Sequence, residues 1–309
     1  MSLSSTMNTA TTSLGNSSTQ SQVLSKNIAN SQTEGYVKRD AATISTSTGG
    51  AQVVTTRNED AVLQKQMLSG QSQAEGQDTL NTGLDQLKAL LGGNDYESSP
   101  STYINKLRDA MQSYAAQPSE LSLAETAVSA AQDVATSINN TAEGISNVRA
   151  QADDAIKDDV SKLNDLLSQF ETVNQSVVKA TATGNDPNDA LDQRDKLVSD
   201  ISKIVGVSSV KRDNNDMALY TNDGTVLFDK QPRTVTFDST GAYGASTEGN
   251  SVYIDGVPVK AGTGGEHHGG RVDRRQSADP RFDCAADAAA VGRDLTVANQ
   301  DVFGNGAID

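Results

Sequence analysis

Between Leu121 and about Lys179 an apolar residue recurs at every third or fourth position, through Val134, Ile138, Ile145, Val148, Ala152, Ile156, Val160, Leu163, Leu167 and Phe170. That period puts them on one side of a single helix. At 1.5 Å per residue such a helix runs on the order of 80 Å. An element of that length is a rod, and the rest of the chain must be arranged along it. "TATGNDPND" breaks the run, and Pro187 is placed to open a further helix. Leu191 to Val205 is that helix, with Leu191, Leu197, Val198, Ile201 and Ile204 apolar.

The same period appears near the start. Leu3, Met7, Ala10, Leu14, Ser17, Ser21, Leu24 and Ile28 follow alternating steps of four and three. This heptad stripe is narrow, and the remaining surface is mostly Ser, Thr, Asn and Gln. Such a helix is marginal alone in water, so it needs a partner helix from this chain or another. Asn30 sits where the helix should end, because Asn tolerates the left-handed conformation of a closing turn. Asn27, one turn back, can bond exposed backbone groups. Gly35 permits a sharp turn and Tyr36 follows as a large anchor with a polar tip. On spacing alone, "SKNIANSQTEGY" reads as a helix stop and a turn.

Residues 37–58 are polar and rich in Ser, Thr and Gly, and read as an extended loop or a short hairpin. A second helix is expected from about Asp60 to Leu91, with Leu63, Met67, Ala74, Leu80, Leu84, Leu87 and Leu91 on its apolar side and Gly92-Gly93 as its stop. "NDYESSPS" reads as a linker. Tyr103 to Ala116 reads as a short helix with Ile104, Leu107, Met111 and Tyr114 inward, ended by Pro118. At Gly206 the period changes to two. "MALYTNDGTVLFD" holds two short strands around Asn222-Asp223-Gly224, a hairpin signal. "RTVTFDSTGAY" and "SVYIDGVPVKAG" repeat the style.

The expected fold class is therefore mainly α with a smaller β part. It is an elongated long-helix, coiled-coil-like rod followed by the start of a β-hairpin-rich domain. Residues 1–58 form an N-terminal axial helix and extended loop, 59–206 a long-helix rod domain, 207–263 a partial β domain, and 264–309 an atypical tail. Apolar residues are 35% and aromatic residues 4%, with no Trp. That favours thin helical layers over a thick core.

Chemistry is scarce. The net charge of −15 disfavours nucleic-acid backbones and anionic membrane surfaces as partners. No stretch approaches the roughly 18 apolar residues of a membrane span, so no membrane insertion is expected. The start lacks a basic region followed by an apolar run, so no cleaved signal peptide is expected. Cys284 is the only cysteine, so no intrachain disulfide can form. His267 and His268 are adjacent in a Gly-rich stretch, and no Cys or His stands at zinc spacing. "DNND", Asp213 to Asp216, lacks the Gly and distal Glu of a helix-loop-helix calcium site and reads as a turn. No catalytic residue, metal or cofactor is expected, and the chain does not read as an enzyme. In "LDQRDKLVSD", Asp192 with Lys196 forms an i,i+4 pair and Asp195 shares a flank with Ser199. A solvated helix face explains those charges unless a partner meets it.

"LSKNIANSQTEGYVKR", Leu24 to Arg39, resembles the N-terminal signature of flagellar rod, hook and hook-associated proteins, through Leu24, Asn27, Ile28, Ala29, Asn30, Thr33, Gly35 and Tyr36. "DALDQRDKLVSDISKIVGV", Asp189 to Val207, is more specific. Its Leu191, Asp192, Gln193, Arg194, Asp195, Leu197 and Val198 resemble the motif preceding the β domain in the flagellar hook-associated protein 1 family. Gly144 to Asp153 and "MALYTNDGTVLFD" fit as well, and the resemblance covers about residues 1–262.

The resemblance implies a structural component of the bacterial flagellum, secreted by type III export and lying outside the cell. It implies assembly with copies of itself in a ring at the hook–filament junction. The other implied partners are hook protein, the next hook-associated protein or flagellin, and an export chaperone. It also implies that the helix end and turn around Asn27 to Tyr36 pack against neighbouring subunits, with Leu3, Met7, Ala10, Leu14 and Leu24 in the same helix interface. A secreted coiled-coil adhesin with a β head is the alternative.

After about Gly265 helical periodicity fades, and both His, the Cys and an Arg cluster appear together. A frame change near residue 265 is the expected cause. Back-translating Gln276 to Ala285 and shifting the frame permits a family-like segment. The family's matching C-terminal helical region is then missing, and residues 1–58 are expected to be poorly ordered in an isolated monomer.

Overall fold

A computed structural model describes residues 3–45, 51–244 and 247–259; His267, His268, Cys284 and the expected frame change lie outside them. The described chain is mainly helical with a smaller β part. Its helices are α1 (Leu3–Ala29), α2 (Ala61–Leu90), α3 (Pro100–Ala116), α4 (Leu121–Thr183) and α5 (Asn188–Ser202). Strands β1 (Arg39–Ser45) and β2 (Ala51–Arg57) form an antiparallel hairpin between α1 and α2. A four-stranded antiparallel sheet follows α5: β3 (Val207–Lys211), β4 (Met217–Thr221), β5 (Val226–Asp229) and β6 (Gln231–Pro232), in chain order. A small three-stranded sheet comes last: β7 (Val235–Thr236), β8 (Tyr253–Ile254) and β9 (Val257–Pro258). Among the described residues no helix is long and apolar enough to cross a membrane.

α4 carries the expected spacing for 63 residues, roughly 95 Å at helical rise. Its termination is local chemistry. Gly184 takes φ 71° and Asn185 N–H bonds back to the Ala180 carbonyl, after which Pro187 precedes α5. α2 ends similarly, with Gly92 and Gly93 at φ 92° and 71°. A Cβ on Gly92 would stand 2.6 Å from the Ser98 backbone nitrogen, so both conformation and space demand glycine there.

Contacts divide the chain into two units. In the first, Met1–Gln71 with Asp165–Arg233, the buried apolar residues include Leu166, Leu167, Phe170 and Val177 of α4, Val198 and Ile201 of α5, and Met217, Ala218, Leu219, Leu227 and Phe228 of the sheet. The Phe170 and Phe228 rings meet edge to face, with centroids 4.9 Å apart. The β4–β5 turn is the one expected: Gly224 has φ 87°, and Asp223 Oδ1 accepts from the Thr225 N–H and the Thr221 hydroxyl. "DNND" forms a 3-10 turn, with Asn214 and Asn215 left-handed and the Asp216 carboxylate accepting from Asn174 and from the Met217 N–H.

In the second unit, Ser72–Asn164 with the described residues from Thr234 onward, Ile156, Val160 and Leu163 of α4 are buried, as are Val235, Phe237, Tyr243, Val252 and Ile254. Polar contacts hold the later segment to α4. Asn164 exchanges two hydrogen bonds with the Val235 backbone. Asp153, 2% exposed, accepts from the Tyr243 hydroxyl and the Thr240 N–H, both at 2.5 Å. Burial and the hydrogen bond to Asp153 push the Tyr243 phenol up from its ordinary value. α2 and α4 approach closely at Gly144, where an added Cβ would lie 2.3 Å from Leu90 Cδ1. Gly144→Val is expected to cost about 1–3 kcal/mol through overpacking, read as a lower thermal midpoint.

Three sequence expectations are corrected. α3 begins at Pro100, not Tyr103, because Ser99 caps it: its hydroxyl accepts from the Thr102 N–H and Pro100 takes the first turn. No residue of α3 is buried. Leu107, Met111 and Tyr114 instead line an open apolar groove with Ala124, Ala127, Val128 and Ala131 of α4. On α2, Leu63 and Met67 face solvent, and the buried edge runs through Leu68 and Ser72. The adjacent Gln71 gives the reason. Its Oε1 accepts from the hydroxyls of Ser199 and Ser202 on α5, so a polar contact chooses the face.

Candidate functional site

α1 presents two faces of opposite character. The heptad stripe is open: Leu3, Met7, Leu14, Leu24 and Ile28 are 61–86% exposed, and Ala10 and Ala29 are exposed too. A second face lies roughly 120° round the helix at 3.6 residues per turn. It carries Asn16, Gln20, Val23 and Asn27, and meets the β1–β2 hairpin. Asn16 Nδ2 donates to the Ala51 carbonyl at 2.9 Å, and Gln20 Nε2 to the Thr43 hydroxyl at 3.2 Å. Val23 is buried. The stripe thus has no apolar cover among the described residues, while the packing falls on a polar face that heptad spacing does not mark.

The helix ends at "NIAN" as expected, but Asn30 does not take the left-handed conformation; the first residue of the turn to do so is Gly35. The Asn30 N–H bonds to the Lys26 carbonyl, and its side-chain amide donates to the same oxygen. Asn27 bonds outside the helix. Its Nδ2 donates to the Arg39 carbonyl at 2.8 Å and its Oδ1 accepts the Arg39 N–H at 3.0 Å, a two-bond clasp on the hairpin's first residue. The Tyr36 hydroxyl donates to the same Oδ1 at 2.8 Å. The Arg39 guanidinium lies 5.2 Å from the Tyr36 ring centre. Gly35 has φ 81°, and a Cβ there would crowd Lys196 Cβ at 3.2 Å, so the turn lies flat on α5.

Below that turn is a charge cluster. Arg39, its side chain 2% exposed, donates to Asp189 Oδ1 at 2.5 Å and Asp192 Oδ2 at 2.9 Å. Arg57, at 5%, donates to Asp192 Oδ1 at 3.0 Å, Asp195 Oδ2 at 2.5 Å and Glu59 Oε2 at 2.9 Å. Asp192 therefore bridges both strands. Lys26 lies 3.5 Å from Asp189, and Lys211 donates to Glu59 at 2.6 Å. The reading of this helix flank as solvated, with an Asp192–Lys196 pair, is overturned: its carboxylates meet two buried guanidiniums of the same chain, and Lys196 faces Glu34 at 3.9 Å.

The other motif residues divide by direction. Gln193 is exposed, Leu191 and Leu197 are half-buried, and Val198 is in the core. Arg194 is fully buried. It donates to Asn174 Oδ1 at 3.0 Å and to the Asn215 carbonyl, tying α5 to α4 and to the turn before β4. Burial pulls its guanidinium below the ordinary value.

Arg39 and Arg57 were not legible as site residues. Their one signal is the acidic spacing of 189, 192 and 195, a pattern solvated helices share. The hydrogen bond from Arg39 holds Asp189 below the usual carboxylate range. Burial pushes Glu59 up, but Lys211 and Arg57 outweigh it and hold it low. A carboxyl depressed in the folded state stabilises above its unfolded pKa, near 4, and that contribution is lost as pH falls through the folded value. Acidification below about pH 4 is expected to loosen the hairpin from α5, read as exchange broadening of the 39–57 amide NMR signals ahead of those of β4 and β5.

The arrangement positions surfaces for contact, and among the described residues no group of His, Cys, Asp and Glu is placed to hold a metal ion. Comparison with known proteins agrees with the sequence motifs. Residues 84–273 match the family model described as the flagellar hook-associated protein FlgK helical domain. Flagellar hook-associated protein 1 of Salmonella typhimurium is 27% identical over 173 residues, covering 55% of this chain and 31% of the relative. Its namesake in Bacillus subtilis is 25% identical over 219 residues, covering 65% and 43%. The chain thus spans less than half the length of these relatives. The solved flagellar hook junction protein FlgK from Burkholderia pseudomallei shares the fold, with a TM-score of 0.53 at 23% identity over 72% of this chain and 38% of that one.

Proposed function

Since this chain belongs to the flagellar hook-associated protein FlgK helical-domain family, we propose that it is a structural part of the bacterial flagellum, joining hook to filament by contact and not by catalysis. The observation that carries this reading is the bare apolar stripe of α1, from Leu3 to Ile28. Isolated exposed leucines are ordinary, but a row of them along one helix marks an interaction surface. Its partners in this reading are further copies of the chain in a ring, hook protein, and the next hook-associated protein or flagellin. An export chaperone would engage the chain before assembly, and the assembled protein would lie outside the cell. Residues 1–58 would serve as the axial segment, 59–206 as the helical rod and 207–263 as part of a β domain. The family relation does not favour an adhesin.

Leu14→Asp with Leu24→Asp, introduced into the gene in its own cell, tests the reading. Both side chains are exposed, so the purified variant should melt within about 0.5 kcal/mol of the parent. The cells should nonetheless carry hooks without filaments and shed filament protein into the medium. Normal filaments and full motility in that strain would overturn the proposal.

A further inference from the structure

The register of the β1–β2 hairpin sets Arg39 directly opposite Arg57. Like charges facing each other across an antiparallel pair destabilise it. Little else favours the hairpin by itself. It has two strands, none of its own apolar side chains is fully buried, and its hydrogen bonds to α1 come from side-chain amides, with Val23 the one buried apolar residue of that face. Two-stranded hairpins of that kind are marginal in water. What offsets the repulsion is α5, where the Asp192 carboxylate gives one oxygen to each guanidinium while Asp189 and Asp195 flank it.

We propose that the hairpin is a conditional latch, which keeps its strand pairing only while the carboxylates of α5 lie between and beside its two facing arginines. Docking and strand pairing are then one event. Because Asn27 clasps the Arg39 backbone, that event also fixes the lower end of α1 to the rest of its unit. Release of the latch would free α1 and the hairpin together and leave the α4–α5–sheet core intact. The inference stands whether or not the chain acts in a flagellum.

Amide hydrogen exchange on the full chain tests it with three proteins: the parent, Asp192→Asn/Asp195→Asn, and the same pair with Arg57→Thr added. In the double variant, strand amides of 39–45 and 51–57 should lose protection by about tenfold or more, while those of 217–229 keep theirs. Arg57→Thr removes the facing charge and adds a good strand former, so it should recover much of the hairpin protection without restoring any ion pair. Unchanged hairpin protection in the double variant would overturn the proposal. So would loss that spreads to 217–229, which would make the cluster a staple of the whole unit. A triple variant as unprotected as the double would show that the facing arginines are not the source of the instability.

Discussion

Phe170→Ala is expected to destabilise the unit holding α5 and the β3–β6 sheet by about 3–5 kcal/mol, the usual cost of truncating a fully buried aromatic. Phe170 has no exposed surface, and its ring meets Phe228 at 78°. The change removes the ring's own burial, the edge-to-face contact, and the support beneath the central strands. Phe228 of β5, the ring it meets, is itself buried, so the surroundings have little freedom to collapse into the gap. The measurement is chemical denaturation followed by far-ultraviolet circular dichroism, with a lower midpoint at unchanged slope as the expected outcome. A cost under about 1 kcal/mol would mean that the two rings are not a core contact. Phe170→Leu should recover more than half the loss, because it refills most of the volume.

Arg194→Ala should cost a similar amount, about 3–5 kcal/mol, by a different route, since each hydrogen bond from a charged donor is worth about 1.5–3 kcal/mol. Here the loss is mainly of hydrogen bonding. Asn174 and the Asn215 carbonyl would each lose a buried donor, and the turn that carries Asn214 and Asn215 in left-handed conformations would lose its tether. Arg194→Met separates packing from polarity. It fills most of the space and carries no charge into the interior, so it should cost nearly as much as Arg194→Ala if hydrogen bonding dominates, and less than half as much if volume does. Equal losses in the two variants would place the contribution in the hydrogen bonds. Fast exchange of the Met217 amide in Arg194→Ala would locate the damage at the turn.

Sequence and structure agree where a signal is periodic or tied to one residue type. The three/four spacing gives α4 nearly to its ends, and Asn222 to Gly224 gives a hairpin turn. Gly92-Gly93 gives a helix stop. The misses share a cause. Leu63 and Met67 looked like the inner side of α2, but Gln71 meets two serine hydroxyls on α5 and turns a different edge inward. Asp192 looked solvated because Arg39 and Arg57 lie more than a hundred residues away, and ion pairing across such a distance leaves no period to read. The polar docking face of α1 was hidden for the same reason: an amide that bonds to a hairpin backbone looks the same in sequence as one that bonds to water. Within residues 1–58, expected to be poorly ordered in an isolated monomer, the described residues form α1 and a hairpin with its own attachment.

The hairpin attaches largely through amides, guanidiniums and carboxylates, and the oily side chains at its contact with α1 are few: Val23, which is buried, and the half-buried Val53 and Val54. Heat-capacity changes track apolar surface newly wetted. Its detachment would therefore add little to the heat-capacity step of unfolding, most of which would come from the melting of the helices and sheets.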